Sequence, residues 1–134
     1  MQSVRQSLIL LSVLFLSGCW MLRRELTEPV QSQVIEVRGG DVITVRLAEN
    51  ATTGFRWKAE CSDPDVRVTV EHRGAKDRSI CGAPGEAVAT IRVGSDFKDH
   101  EVVKLTYWRS FSGEVAREVN LGLFRRNGEA AAWR

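Results

Sequence analysis

Alternation of apolar and polar residues is the feature of this sequence that most limits its fold. Between residues 33 and 124 apolar side chains recur at every second position, as in Phe55-Arg56-Trp57-Lys58-Ala59. A repeat of two places successive side chains on opposite faces of a β-strand, whereas a helix repeats every 3.6 residues. We label the segments with this repeat strands A to G. Their first apolar residues are Val34, Ile43, Phe55, Val66, Ala87, Val103 and Val119. The sequence therefore predicts an all-β fold.

Turn-forming residues separate these segments, for example Gly39-Gly40-Asp41, Asp63-Pro64-Asp65 and Ser112-Gly113. Glycine, proline and aspartate in such clusters interrupt regular structure. Seven to eight short antiparallel strands joined by turns are typical of a β-sandwich. We therefore predict one β-sandwich domain over residues 33–124.

Three of the connections are expected to lie together. If successive strands run in opposite directions, every second connection emerges at the same end of the sandwich. These are loop 1 (residues 48–54, between B and C), loop 2 (72–86, between D and E) and loop 3 (108–114, between F and G). The unusual motifs of this chain fall on these three loops.

The N-terminus has the features of a secretory signal. Arg5 is followed by the apolar run Ser7–Leu16, which is shorter than the roughly 20 residues that a membrane span requires. The next segment, Leu16-Ser17-Gly18-Cys19, resembles the lipobox of bacterial lipoproteins, which implies cleavage before Cys19 and lipid attachment to its thiol. We expect a signal peptide at 1–18, the lipidated cysteine and a flexible tether at 19–32, and a C-terminal tail at 125–134.

A lipid anchor would hold the chain in the bacterial cell envelope. Trp20 rather than aspartate follows the cysteine. By resemblance to lipoprotein sorting signals this favours the outer membrane, with the domain facing the periplasm or the cell surface. In an oxidising compartment the remaining pair, Cys61 and Cys81, is a candidate disulfide, and two free thiols are the alternative.

Charge and histidine content exclude several function classes. The 19 basic and 17 acidic residues are intermixed, and a nucleic-acid-binding protein usually has a concentrated basic face. The cysteines lack the spacing of a metal site, so we expect no metal ion and no cofactor. The two histidines, His72 and His100, belong to opposite ends of the predicted sandwich, which argues against a catalytic centre. We expect a monomer that is not an enzyme.

Loop 1 contains Asn50-Ala51-Thr52-Thr53-Gly54, followed by Phe55. The β-branched threonines have restricted χ1 angles and stiffen a loop. Gly54 permits a positive φ and a close approach of another surface. Phe55 and Trp57 are expected to point inward and anchor the base of the loop. A plain connection between two strands is the alternative interpretation.

Loops 2 and 3 carry further candidate binding residues. Loop 2 contains Gly82-Ala83-Pro84-Gly85, which either only turns the chain or lets it lie flat against a partner. Loop 3 contains Trp108, Arg109 and Phe111, and aromatic residues and arginine dominate binding hot spots. A hairpin tip is poorly placed to bury them, so we predict that they contact a partner.

Together the three motifs resemble the chagasin family of cysteine-peptidase inhibitors. The resemblance spans residues 33–124 and rests on N-x-T-T-G-[YF] at Asn50, G-x-x-G at Gly82 and R-x-aromatic at Arg109. It implies an immunoglobulin-like sandwich whose loops enter the active-site groove of a papain-like peptidase, host or endogenous, as a reversible tight-binding wedge. The implied peptidase-binding residues are Asn50, Thr52, Thr53, Gly54, Phe55, Gly82, Pro84, Gly85, Trp108, Arg109 and Phe111.

The chain departs from the family pattern at three places. Ala51 stands where proline is common, Pro84 replaces a glycine, and Ser110-Phe111 replaces Pro-Trp. Losing a compatible proline at Ser110 costs about 0.4–1 kcal/mol of free energy, because the chain without the proline has more conformational freedom to lose. The alternative function is a non-inhibitory immunoglobulin-like envelope lipoprotein for adhesion or assembly, which the fold alone would permit. The combination of loop motifs favours the inhibitor.

Overall fold

The computed structural model describes residues 23–29, 31–75, 79 and 82–126. The predicted signal peptide, Cys19, Cys81 and residues 127–134 of the predicted tail lie outside the described residues.

Eight strands form two four-stranded sheets that pack face to face. The strands are β1 (Arg23–Thr27), β2 (Ser32–Val37), β3 (Val42–Glu49), β4 (Phe55–Glu60), β5 (Val66–Arg73), β6 (Gly85–Val93), β7 (His100–Arg109) and β8 (Val115–Arg125). The first sheet has the order β1-β3-β6-β5 and the second has the order β2-β8-β7-β4. Strands β2 to β8 correspond to predicted strands A to G. The predicted all-β immunoglobulin-like sandwich is confirmed.

The core lies between the sheets and is built from the inward positions of the alternating pattern. Ile43, Ile91, Leu105 and Leu121 are each 0% exposed. Burying one such side chain contributes about 1.5–3 kcal/mol relative to leaving it in water. Within the described ranges, no helix is long and apolar enough to span a membrane.

The sequence predicted a flexible tether over residues 19–32, but residues 23–27 form a strand. Strand β1 pairs in parallel with β3, and its Leu26 packs against the core. Glu25 forms an ion pair of 2.6 Å with Nε of Arg46 on β3. Because β2 also pairs in parallel with β8, both sheets are mixed rather than purely antiparallel.

Cys61 is a free thiol, so the structure does not contain the predicted Cys61–Cys81 bridge. Cys61 follows the last residue of β4, whereas Gly82 contacts Asn50, near the first residue of that strand. Six residues of strand span about 20 Å, and the Cα atoms of a disulfide are usually within about 7 Å of each other. Cys61 and Gly82 therefore lie towards opposite ends of the sandwich, and Cys81 itself is outside the described residues.

Candidate functional site

Loops 1, 2 and 3 meet at one end of the sandwich, which we call the loop end. The strand register places Glu49 opposite Gly85 and Phe55 opposite Arg109. The side-chain amide of Asn50 donates a hydrogen bond of 3.4 Å to the carbonyl of Gly82, which joins loop 1 to loop 2. The predicted convergence of three turns that are distant in the chain is therefore present.

Loop 1 is one turn of 3-10 helix, Ala51–Thr53, capped by Asn50. The Oδ1 atom of Asn50 accepts hydrogen bonds from the backbone N–H of Thr52 at 3.1 Å and from its hydroxyl at 2.6 Å. The hydroxyl of Thr53 donates to the carbonyl of Asn50 at 2.7 Å. Asparagine is a favoured cap because its short side chain satisfies the free N–H groups at the start of a helix. The two threonine hydroxyls are thus engaged within the loop, while both residues remain exposed.

Gly54 ends this turn and connects loop 1 to loop 3. Its φ of 78° lies in the left-handed region, where a side chain is strained. A Cβ atom at this position would also lie 2.9 Å from Cε1 of Phe111. The ring of Phe111 therefore rests against the backbone of loop 1, and only glycine allows this contact without displacement.

Aromatic side chains support loop 1 from below. Phe55 is 8% exposed and Trp57 is 2% exposed, which confirms that both anchor the base of the loop. Tyr107 packs between them, with ring centroids 5.3 Å from Phe55 and 5.0 Å from Trp57. Its hydroxyl accepts a hydrogen bond of 3.1 Å from the backbone N–H of Asn50. Phe55 was included among the implied binding residues, but its burial leaves little surface for a partner.

A buried carboxylate beneath the loops was not identified from the sequence. Glu49 is 4% exposed, and its Oε2 accepts a hydrogen bond of 2.9 Å from the backbone N–H of Trp57. Nδ1 of His72 lies 2.8 and 2.9 Å from the two carboxylate oxygens. Glu49 continues the inward positions of β3 after Leu47, so an acidic residue in an apolar register was the available signal. The contacts join β3, β4 and β5 directly below loop 1.

The glycines of loop 2 have local structural requirements. Gly82 has a φ of 79°, which a turn requires and which favours glycine. A Cβ atom on Gly85 would overlap the carbonyl oxygen of Arg73, because β6 begins in close contact with the end of β5. Pro84 is exposed between them. Turn geometry and strand packing therefore account for both glycines.

Loop 3 presents a largely exposed aromatic side chain. Phe111 is 78% exposed, as predicted for a residue at the tip of a hairpin. Arg109 is more enclosed: its guanidinium carbon lies 4.2 Å from the centroid of the Phe55 ring, and its Nη1 is 3.0 Å from the carboxylate of Glu114. Loop 3 is closed by backbone hydrogen bonds between Arg109 and both Gly113 and Glu114.

Trp108 lies on β7 and not at the hairpin tip. It pairs with Arg56 across the sheet, and the amino group of Lys58 lies 4.4 Å from the centroid of its ring. Trp108 is half-buried on the outer face of the second sheet. Arg109, the next residue, contacts the buried ring of Phe55 instead, because adjacent positions on a strand point to opposite faces.

Comparison with known families identifies the family of this chain. A family model described as "Chagasin family peptidase inhibitor I42" matches residues 36–122. The chain belongs to the chagasin family. This family consists of inhibitors rather than enzymes. No curated protein sequence is significantly similar to this chagasin-family chain.

Solved structures share the chagasin-family fold. The cysteine protease inhibitor EhICP2 from Entamoeba histolytica superposes with a TM-score of 0.66 at 19% identity, covering 78% of this chain and 96% of the other. Amebosin superposes with a TM-score of 0.64 at 22% identity, covering 78% and 99%. PbICP-C, solved in complex with falcipain-2, gives a TM-score of 0.51 at 14% identity, covering 76% and 97%.

The two histidines of this chagasin-family chain are far apart in the sandwich. His72 lies on β5 near the loop end, whereas His100 begins β7 at the opposite end, as predicted. Among the described residues, no three histidine, cysteine or acidic side chains are grouped to hold a metal ion. Among the described residues, the loop end presents short side chains, backbone and the exposed ring of Phe111.

Proposed function

We propose that this chain is a reversible inhibitor of papain-like cysteine peptidases, and that its loop end fills the active-site cleft. Membership of the chagasin family supports peptidase inhibition. A fold relative named as a cysteine protease inhibitor, EhICP2, supports the peptidase class. The observation that carries the proposal is the contact of loop 1 with both other loops, through Asn50 to Gly82 and through Gly54 to Phe111.

The rigidity of loop 1 suits tight binding. Asn50, Thr52 and Thr53 make their hydrogen bonds to one another, so the loop is ordered before a partner arrives. Immobilising a flexible side chain on binding costs about 0.5–1.5 kcal/mol, and preorganisation reduces that cost. Both threonine hydroxyls donate hydrogen bonds within the loop, so a cleft that covers them leaves those donors paired.

The same turn explains how the loop could occupy a peptidase without being cut. The carbonyls of Asn50 and Ala51 accept hydrogen bonds from Thr53 and Gly54 at 3.2 and 3.1 Å. The chain is therefore folded into a compact turn rather than extended. We infer that neither carbonyl would be aligned for attack by a catalytic thiolate.

Loops 2 and 3 would flank loop 1 in the complex. Pro84 is exposed on one side and Phe111 on the other. Aromatic side chains contribute much of the binding energy in such interfaces. A contact area of about 800 Å² on each partner is typical of peptidase–inhibitor complexes.

A substitution at the tip tests the proposal. In the chain from residue 20 onward, Thr53→Arg should weaken inhibition of papain at least about 30-fold, the effect of losing a hot spot of about 2 kcal/mol. Thr69→Arg, at an exposed position on the outer face of β5, is the matched control and should inhibit like the wild type. Thr69→Arg should keep the wild-type melting temperature, and Thr53→Arg should stay folded with a loss of at most about 1 kcal/mol for its hydroxyl hydrogen bond. The proposal fails if wild-type protein at micromolar concentration leaves papain and a cathepsin L-type peptidase fully active.

We also propose that the mature chain is held in the cell envelope by lipid on Cys19. The support is the sequence Leu16-Ser17-Gly18-Cys19 after an apolar run. Labelling with a fatty acid in a bacterial host should mark the wild type and not Cys19→Ser. Label retained by the variant would contradict the assignment.

A further inference from the structure

Three arginines lie in one row across the outer face of the first sheet. The register aligns Arg23 on β1 with Val42 on β3, Val42 with Arg92 on β6, and Arg92 with Arg67 on β5. Directly aligned residues point to the same face of a sheet. All three arginines are exposed, and within the described part of the chain none has an acidic group within ion-pair distance. We call Arg23, Arg67 and Arg92 the arginine row.

The arginine row is unfavourable without an anion. Like charges directly opposite each other on neighbouring strands destabilise a sheet. A shallow depression of about 280 Å³ lies beside the row and is lined by Arg67, Arg92, Gly94 and Ser95. Asp65 also lines it and offsets one of the positive charges. Guanidinium groups match phosphate oxygens in geometry, so a phosphate group would relieve the repulsion.

The position of the arginine row indicates the source of the phosphate. Strand β6 runs from Gly85 at the loop end to Arg92 in the row, a distance of about 23 Å at the rise of a β-strand. Strand β1 begins in the row, and Arg23 is four residues after Cys19. We propose that the arginine row binds the anionic phospholipid headgroups of a membrane and orients the domain with its loop end away from the bilayer. This surface goes beyond peptidase inhibition and does not rest on it.

Vesicle binding by the full chain tests the arginine row. The two surfaces compared are vesicles of phosphatidylcholine alone and vesicles with about a quarter phosphatidylglycerol. The N-terminus is the same in the wild type and the variants, so a change in the ratio of the two affinities reports the charges of the arginine row. Each arginine near an anionic surface contributes about fivefold. Arg67→Glu with Arg92→Glu should abolish the preference for anionic vesicles, as should about 0.5 M salt, because exposed charges are screened.

Matched variants separate charge from folding. Arg56→Glu changes an exposed arginine of the second sheet at the loop end and should keep the preference. Arg67→Glu alone places an acid opposite Arg92, so it should raise the melting temperature while weakening binding to anionic vesicles. An equal affinity of wild type for both vesicles, or an equal effect of Arg56→Glu, would overturn the proposal. If millimolar inorganic phosphate at constant ionic strength removes the anionic preference, the row would instead be assigned to a free anion.

Discussion

At the scale of single residues, the loop end depends on positions where one side chain meets several requirements. Asn50 caps the 3-10 turn, contacts loop 2 through its amide and contacts β7 through its backbone N–H. Gly54 supplies the left-handed conformation and leaves room for Phe111. The residue types were identifiable from the sequence because asparagine and glycine have distinctive local chemistry.

Gly54→Ala should lower the free energy of unfolding by about 1–2 kcal/mol, the cost of a left-handed conformation for a residue with a Cβ atom. It should also weaken peptidase inhibition, because the added methyl group displaces Phe111. Gly40→Ala is the control: Gly40 has a φ of 92°, and a Cβ there would contact nothing within 4 Å. Chemical denaturation should show similar losses for both variants, and titration of papain should show weaker inhibition only for Gly54→Ala. Equal inhibition by the two variants would remove the role assigned to the Phe111 contact.

Cys61 should behave as a poorly reactive free thiol. Burial raises its pKa above the ordinary value of a cysteine, so less of it is thiolate at neutral pH. Alkylation by iodoacetamide should therefore be slower than for an exposed cysteine and should accelerate as the pH rises through the raised pKa. Mass spectrometry of non-reduced, denatured protein should find Cys61 alkylatable. A Cys61–Cys81 peptide pair in that experiment would contradict the free thiol.

At the scale of elements, β7 couples loop 3 to loop 1. Arg109, at the end of β7, pairs with Phe55 on β4. The hydroxyl of Tyr107 accepts a hydrogen bond from the backbone N–H of Asn50. Tyr107 follows Val103 and Leu105 in the alternating pattern, so its inward register can be inferred from the sequence, but the partner of its hydroxyl cannot. A hydrogen bond across 57 residues of sequence has no local signal, because it depends on how the two sheets are aligned.

Tyr107→Phe should cost about 1 kcal/mol of stability by leaving the N–H of Asn50 without its partner. Loop 1 should also become less ordered, so inhibition should weaken by up to about fivefold. Thr106→Val is the control on the same strand. The hydroxyl of Thr106 is buried and has no hydrogen-bond partner in the described structure, so its removal should be neutral or stabilising. A greater loss in Thr106→Val than in Tyr107→Phe would contradict this assignment of the two hydroxyls.

At the scale of the whole molecule, residues 23–29 connect the two sheets through hydrogen bonds. Glu28 accepts a hydrogen bond from the backbone N–H of Ala48 in the first sheet. Its other carboxylate oxygen is 2.7 Å from Nη1 of Arg117 in the second sheet. The carbonyl of Pro29 accepts a further hydrogen bond of 2.9 Å from Arg117. A segment with weak alternation is thus ordered by contacts with partners far along the chain.

A chain that begins at residue 31 should be less stable than one that begins at residue 20 by about 2 kcal/mol. The truncation removes the partly buried Leu26 and the contacts of Glu28. It also leaves β3 as an edge strand, and unprotected edges promote aggregation. Denaturant midpoints and light scattering measure both effects. Equal midpoints would show that β1 contributes nothing to stability, as expected of a tether.

The sequence by itself determined the period of the strands, the inward side chains of the core and the residue types of loops 1, 2 and 3. Each of these depends on local chemistry: side-chain alternation, restricted χ1 angles and the freedom of glycine. Only the tertiary structure decided that β1 joins the sheet, that Glu49 meets His72, that Phe55 is buried and that Trp108 lies on the outer face of the second sheet. Those outcomes depend on how the strands and the two sheets align and pack. The contacting residues are distant in the chain, so no local sequence pattern predicts that they meet.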